Sequence, residues 1–247
     1  MITFNTASKT YAKELTTAAH TALAAISFSV SRGETLGLIG ANGAGKSTAI
    51  KLLMDFIRPD TGSISILGSS PKNPEIRRRI GYLPETANFP SNLTVLDMLR
   101  FTGQACNMVR QEICLASEKW LRRLGLWEAR KRPLRNYSKG MQQRANFAIA
   151  LLNEPELLIL DEPMSGLDPI GRADILALIT ELKGEGRTIL FCSHILEDVD
   201  RLVDRVLVLH QGQKIFEGQP HLLAEQQGCP TFVEGYLHLV QQVTKND

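Results

Sequence analysis

Apolar residues along this chain follow two rhythms. Short unbroken runs bounded by glycine, proline and polar residues occur at TLGLIG (35–40), SISILG (63–68), LLILD (157–161) and TILFCS (188–193). Each has the length and composition of a strand. The first 35 residues read as strand and loop, and RRRIGYLPE (77–85) and RVLVLHQGQKIFEG (205–218) carry further strand-like runs. Between them, apolar positions recur every three or four residues in STAIKLLMDFI (47–57), LTVLDMLRFTGQA (93–105), EICLASEKWLRRLGL (112–126), GMQQRANFAIALL (140–152) and IGRADILALITELKGEG (170–186). That spacing predicts helices with one apolar face. Strands alternating with helices predict an α/β fold with a mainly parallel sheet, interrupted by a mostly helical stretch.

Composition narrows the class without changing it. At 247 residues, 43% hydrophobic and 22% charged, the chain is of ordinary globular make-up and long enough to bury a core in one domain. No apolar run nears the 18 or more residues of a membrane span, and the start lacks a secretory pattern. A net charge of +2 is too even to argue for a nucleic-acid partner. Cys106, Cys114, Cys192 and Cys229 form no CxxC pair and no metal-like spacing with histidine, as expected of incidental thiols in a reducing cytosol.

Chemistry enters at Gly40-Ala41-Asn42-Gly43-Ala44-Gly45-Lys46-Ser47, followed by Thr48, which matches G-x-x-x-x-G-K-[ST]. The motif follows a predicted strand and opens a predicted helix, the context in which it binds phosphate. Its glycines let backbone N–H groups wrap an anion, and the helix N-terminus adds favourable potential. Lys46 would reach the β- and γ-phosphates, and Ser47 would ligand Mg²⁺. A second acidic strand end is then needed, and LLILDEP supplies Asp161, placed to hold Mg²⁺, and Glu162, placed to polarise water.

With these two motifs in view, the sequence resembles an ATP-binding cassette (ABC) ATPase, of the bacterial ABC-2 or multidrug-exporter type. The resemblance continues in order: IGYLPE (80–85) stands at the Q-loop, YSKGMQQR (137–144) at the signature, SGLDP (165–169) at the D-loop and SHIL (193–196) at the switch histidine. It implies a P-loop NTPase (RecA-like) core, about 1–85 and 157–220, with an N-terminal antiparallel β region, a helical subdomain at about 86–156, and a short C-terminal tail at 221–247. It also implies roles. Tyr11 would stack on adenine, His194 would contact the γ-phosphate, and Asp168 would bridge two subunits. Ser138, a residue before a helix and so an N-cap, and Gly140 would complete the partner cassette's ATP site in trans.

Two stretches depart from the family pattern, the Q-loop and the signature, where Tyr137-Ser138-Lys139-Gly140-Met141 stands for Leu-Ser-Gly-Gly-Gln. Glu85 replaces the Q-loop glutamine; it can still ligand magnesium but brings negative charge. Lys139 stands in the signature where glycine is usual. The expectation is therefore an ATPase that uses ATP and Mg²⁺, pairs with a second cassette and with a separate membrane-spanning permease, and sits in the cytoplasm against the inner face of the membrane. A soluble assembly scaffold is the alternative. Arg77-Arg78-Arg79 and the cluster Arg122, Arg123, Arg130, Lys131, Arg132 and Arg135 read either as solvated faces or as proximity to an anionic membrane.

Overall fold

The computed structural model describes residues 1–12, 20–86, 88–90 and 92–246. They divide into two units, Met1–Lys72 with Thr188–Asp247, and Asn73–Arg187. The first unit opens with β1 (Ile2–Tyr11) and β2 (His20–Val30), an antiparallel pair in which Ile2 faces Val30 and Phe4 faces Phe28. The two phenyl rings stack with centroids 4.5 Å apart. The pair carries bulges, with Thr6 at φ 46° and Ala25 at φ 49°. Serines accept the displaced amides: Thr6 N–H donates to Ser27 Oγ and Ala25 N–H to Ser8 Oγ.

Next come β3 (Thr35–Ile39), buried at every position, α1 (Lys46–Leu53) and β4 (Thr61–Ile66). β4 joins the free edge of β1, giving an antiparallel sheet ordered β2-β1-β4. The helix predicted for 47–57 ends at Leu53. Asp55 turns to φ 55° there, the Met54 and Phe56 amides close on the carbonyls of Ile50 and Lys51, and Phe56 is left 60% exposed. The apolar period outlasts the helix because it counts spacing and not backbone sense.

The second unit contains α2 (Pro74–Arg77), β5 (Ile80–Leu83), α3 (Val95–Ala105), α4 (Arg110–Arg123), α5 (Lys139–Leu151), β6 (Leu157–Asp161) and α6 (Pro169–Gly184). β5 and β6 pair in parallel, with Leu83 beside Leu160. α3 starts on a capping box: Thr94 Oγ1 accepts from the Asp97 amide while the Asp97 carboxylate accepts from the Thr94 amide. α5 lies so close over β5 that a Cβ at Gly81 would stand 2.3 Å from the Ala150 carbonyl oxygen.

The chain re-enters the first unit with β7 (Thr188–Cys192), α7 (Leu196–Leu202), β8 (Arg205–His210), β9 (Gln213–Gly218), α8 (Pro220–Gln226) and α9 (Phe232–Asn246). β7 and β8 flank β3 in parallel, and β9 runs antiparallel along β8. The single run predicted at 205–218 is thus a hairpin. Gln211 at φ 45° and Gly212 at φ 77° form its two-residue turn, the positive pair that matches strand twist. Arg205 bridges the two strands of this hairpin through Glu217 and ties them to Glu34, just before β3, at 2.7 Å and to the Ser29 carbonyl of β2. Its hydrogen bond to Glu34 holds the guanidinium pKa above the usual arginine value. α8 and α9 pack so closely that a Cβ at Gly235 of α9 would stand 2.9 Å from the Ala224 Cα of α8. Among the described residues, no helix is long and apolar enough to cross a membrane.

Candidate nucleotide site

In the first unit, the loop from Gly40 to Gly45 leaves the carboxyl end of β3 and turns into α1. Gly40, Gly43 and Gly45 adopt φ of 155°, 81° and 110°. A Cβ at Gly40 would meet the Leu209 carbonyl at 2.4 Å, and one at Gly45 the Ala22 carbonyl at 2.6 Å. These glycines are required both by backbone sense and by close approach of neighbouring strands. Gly45 caps α1 without a side chain, so the first-turn amides keep no side-chain oxygen of their own as partner. That is the form a phosphate cradle takes, and it fits a nucleotide polyphosphate.

The loop is braced from a distant part of the sequence. The Gly212 amide in the β8–β9 turn donates to the Ala44 carbonyl at 3.0 Å, while its own carbonyl accepts from the Ala24 amide of β2. Lys46 lays its ammonium on the carbonyls of Gly40 and Ala41 at 2.6 and 3.1 Å, within the loop that it is to serve. Ser47 follows Lys46 in the first turn of α1, and Thr48 is buried. Tyr11 ends β1, 38% exposed, with its hydroxyl 3.5 Å from Thr48 Oγ1. The strand end that carries Tyr11 therefore reaches the helix of the phosphate loop, although most of the segment between Tyr11 and β2 lies outside the described residues.

His194 follows β7 and is exposed. The hydroxyl of buried Ser193 accepts from the Ile195 amide at 3.1 Å, which fixes the turn that presents the imidazole.

The second unit gathers the other predicted residues. Asp161 closes β6 and is buried, and Glu162 follows at φ 48°. A left-handed glutamate is a strained backbone of the sort concentrated at functional sites. Ser138 caps α5, accepting from the Met141 amide at 3.2 Å, with Gly140 in the first turn. Asp168 caps α6 through the Gly171 amide at 3.0 Å. Tyr137 is buried, its hydroxyl donates to the Ala129 carbonyl at 2.9 Å, and burial raises its pKa. Glu85, two residues past β5, lines a pocket of about 200 Å³ with Thr86, Lys139, Gln142, Gln143, Ser165 and Gly166.

Two residues that sequence reasoning passed over hold this arrangement. Gln143 donates to the Pro163 carbonyl at 3.0 Å, and Asn146 to the Pro84 carbonyl at 3.3 Å. Both amides are buried on α5, so the helix opened by Ser138 is tied to the loop bearing Glu85 and to the strand end bearing Glu162. Two amides three apart, on the face that also carries Phe147 and Ala150, were the available signal.

The core and its glycine-built loop define a phosphate-loop nucleotide-binding protein. The sequence signature described as ABC transporter matches residues 23–165, and the chain belongs to that family. It is 40% identical, over 83% of its length and 62% of the relative's, to a Nod factor export ATP-binding protein I of Rhizobium meliloti. A solved ATP-binding subunit of an ABC transporter superposes with a TM-score of 0.88 at 33% identity, covering 97% of this chain and 99% of that one. A dimeric bacterial ABC transporter cassette superposes with a TM-score of 0.79 at 25% identity, covering 89% and 98%. Cyanobacterial curated relatives, uncharacterized ABC transporter ATP-binding proteins, are longer: the chain spans about 60% of their length.

Proposed function

We propose that this chain binds and hydrolyses Mg-ATP as the energising subunit of a membrane transporter, and that the transporter is an exporter. The observation that carries the reading is the phosphate loop: three glycines at positive φ, an N-terminus of α1 capped without a side chain, and Lys46 at its mouth. Similarity to a Nod factor export ATP-binding protein favours export.

In this reading the loop amides and Lys46 hold the β- and γ-phosphates, and Tyr11 stacks on the adenine. Ser47 and Asp161 would hold the magnesium that accompanies ATP, with Glu85 as a further carboxylate ligand, and the metal would supply neutralisation of phosphate charge. Glu162 accepts the proton of the water that attacks the γ-phosphate in line, and His194 contacts that phosphate. Ser138 and Gly140 at the start of α5 face the phosphates of a second copy, and the dimeric solved cassette supports this pairing. These assignments rest on the order of the motifs and on family membership. In this reading the chain works with a separate membrane-spanning permease, at the inner face of the membrane. Nucleic acid is not a partner in this reading.

Assays of the purified chain and a pull-down from native cells test it. Purified chain should release phosphate from Mg-ATP, Lys46→Ala should lose nucleotide binding, and Glu162→Gln should accumulate as an ATP-bound dimer with little turnover. Wild-type turnover by Glu162→Gln would overturn the role of Glu162. A mild-detergent pull-down from native cells should recover a multi-span membrane protein in stoichiometric amount; recovery with cytosolic partners alone would overturn the transporter reading and leave the ATPase intact.

A further inference from the structure

A turn far along the chain sits against the phosphate loop. Gln211 and Gly212, at φ 45° and 77°, close the β8–β9 hairpin within the first unit. The Gly212 amide donates to the Ala44 carbonyl at 3.0 Å, and the Gly212 carbonyl accepts from the Ala24 amide of β2 at 2.8 Å. Close packing keeps this turn from shifting. A Cβ at Gly212 would stand 2.8 Å from the Ala22 carbonyl oxygen, and one at Gly45 would stand 3.6 Å from the Gly212 Cα. The hairpin meets the start of the loop as well, where a Cβ at Gly40 would stand 2.4 Å from the Leu209 carbonyl oxygen.

We propose that Gly212 is a positioning residue for phosphate binding: by pinning the Ala44 carbonyl, it aims the Gly45 amide into the cradle. This rests on the nucleotide reading above. The peptide that links Ala44 to Gly45 is planar and trans, so its C=O and N–H point in opposite directions. Fixing the carbonyl on Gly212 therefore fixes where the N–H points. Gly45 cannot hold that direction by itself, because glycine turns readily through positive and negative φ. A carbonyl that accepts a hydrogen bond also polarises its own amide, which makes the Gly45 N–H a stronger donor to an anion. Since β2 holds the other side of Gly212, the cradle is set before a nucleotide arrives, and binding bears less of the ordering cost.

The test is ligand binding by the full chain, with a fluorescent ADP analogue displaced by ADP and by inorganic pyrophosphate. An ester at residue 212, made by translation with glycolic acid at that position, removes the donor and keeps the glycine backbone. It should weaken ADP and pyrophosphate alike by about fivefold, the size of one net hydrogen bond. Gly212→Ala, which must move the turn off Ala22, should weaken both at least as much. Lys214→Met measures a loss that is only structural: it removes the 2.8 Å hydrogen bond to the Ser27 carbonyl that ties the same hairpin to β2. It should lower the thermal midpoint and keep both affinities. Unchanged affinities in the ester chain overturn the positioning role. A loss confined to ADP, which would lie at the adenine, overturns it too, as does an equal loss in Lys214→Met. Wild-type chain that binds neither ligand overturns the nucleotide reading and the inference with it.

Discussion

Gly81→Ala tests how the second unit positions the start of α5. The added Cβ would lie 2.3 Å from the Ala150 carbonyl oxygen and 2.8 Å from both Leu158 Cδ2 and Pro155 Cγ. Ordinary contact begins near 3.4 Å, so α5 and β5 must separate by about 1 Å, and the nearest obstacle is backbone that cannot rotate away. Overpacking of this kind costs about 3 kcal/mol, the upper part of its usual range. With a urea m-value of about 2 kcal/mol/M, the midpoint falls by about 1.5 M. The chain's two tryptophans, Trp120 and Trp127, both lie in the second unit, so their fluorescence follows that unit's unfolding. Gly184→Ala is the matched control. A Cβ there meets nothing within 4 Å, and the position closes α6. Alanine's helix preference should raise the midpoint by about 0.2 M. Equal midpoints for Gly81→Ala and wild type would refute the inference that glycine is required by this approach.

The capping box of α3 gives a pH test. The Thr94 hydroxyl, then its amide, hold the Asp97 pKa below the ordinary carboxyl value. A lowered folded pKa stabilises above the unfolded pKa and is lost as pH falls through the folded one. Asp97→Asn should therefore be less stable than wild type at pH 7, with the gap closing below about pH 4; a gap that widens in acid refutes this. For Tyr11, the 3.5 Å contact to Thr48 is too long to matter much. Tyr11→Phe should keep nucleotide affinity, and Tyr11→Ala should weaken it about tenfold by loss of stacking; equal affinities by fluorescent-nucleotide titration would remove Tyr11 from the site.

Features that depend on local chemistry are legible in the residues themselves. Glycines at 40, 43 and 45 before Lys46 can be read as a phosphate loop because the backbone sense they permit belongs to the residues themselves. Ser138 was legible as a helix cap because a cap is made within four residues. The strand cores at β3, β6 and β7 were legible because fully buried strands are continuously apolar.

Tertiary structure alone decided what joins distant residues. Nothing near Ala44 announces that Gly212 braces it, and nothing near Gly81 announces Ala150. The apolar period at 47–57 runs past the helix end at Leu53, and the stretch 205–218 folds back on itself as a hairpin. In each case spacing shows which residues prefer burial, whereas a turn or a helix end is set by backbone angles that spacing does not encode. Glu85 and Lys139 were each visible as a departure, 54 positions apart. Only the fold places them around one pocket, because α5 crosses β5 at a distance that glycine alone allows.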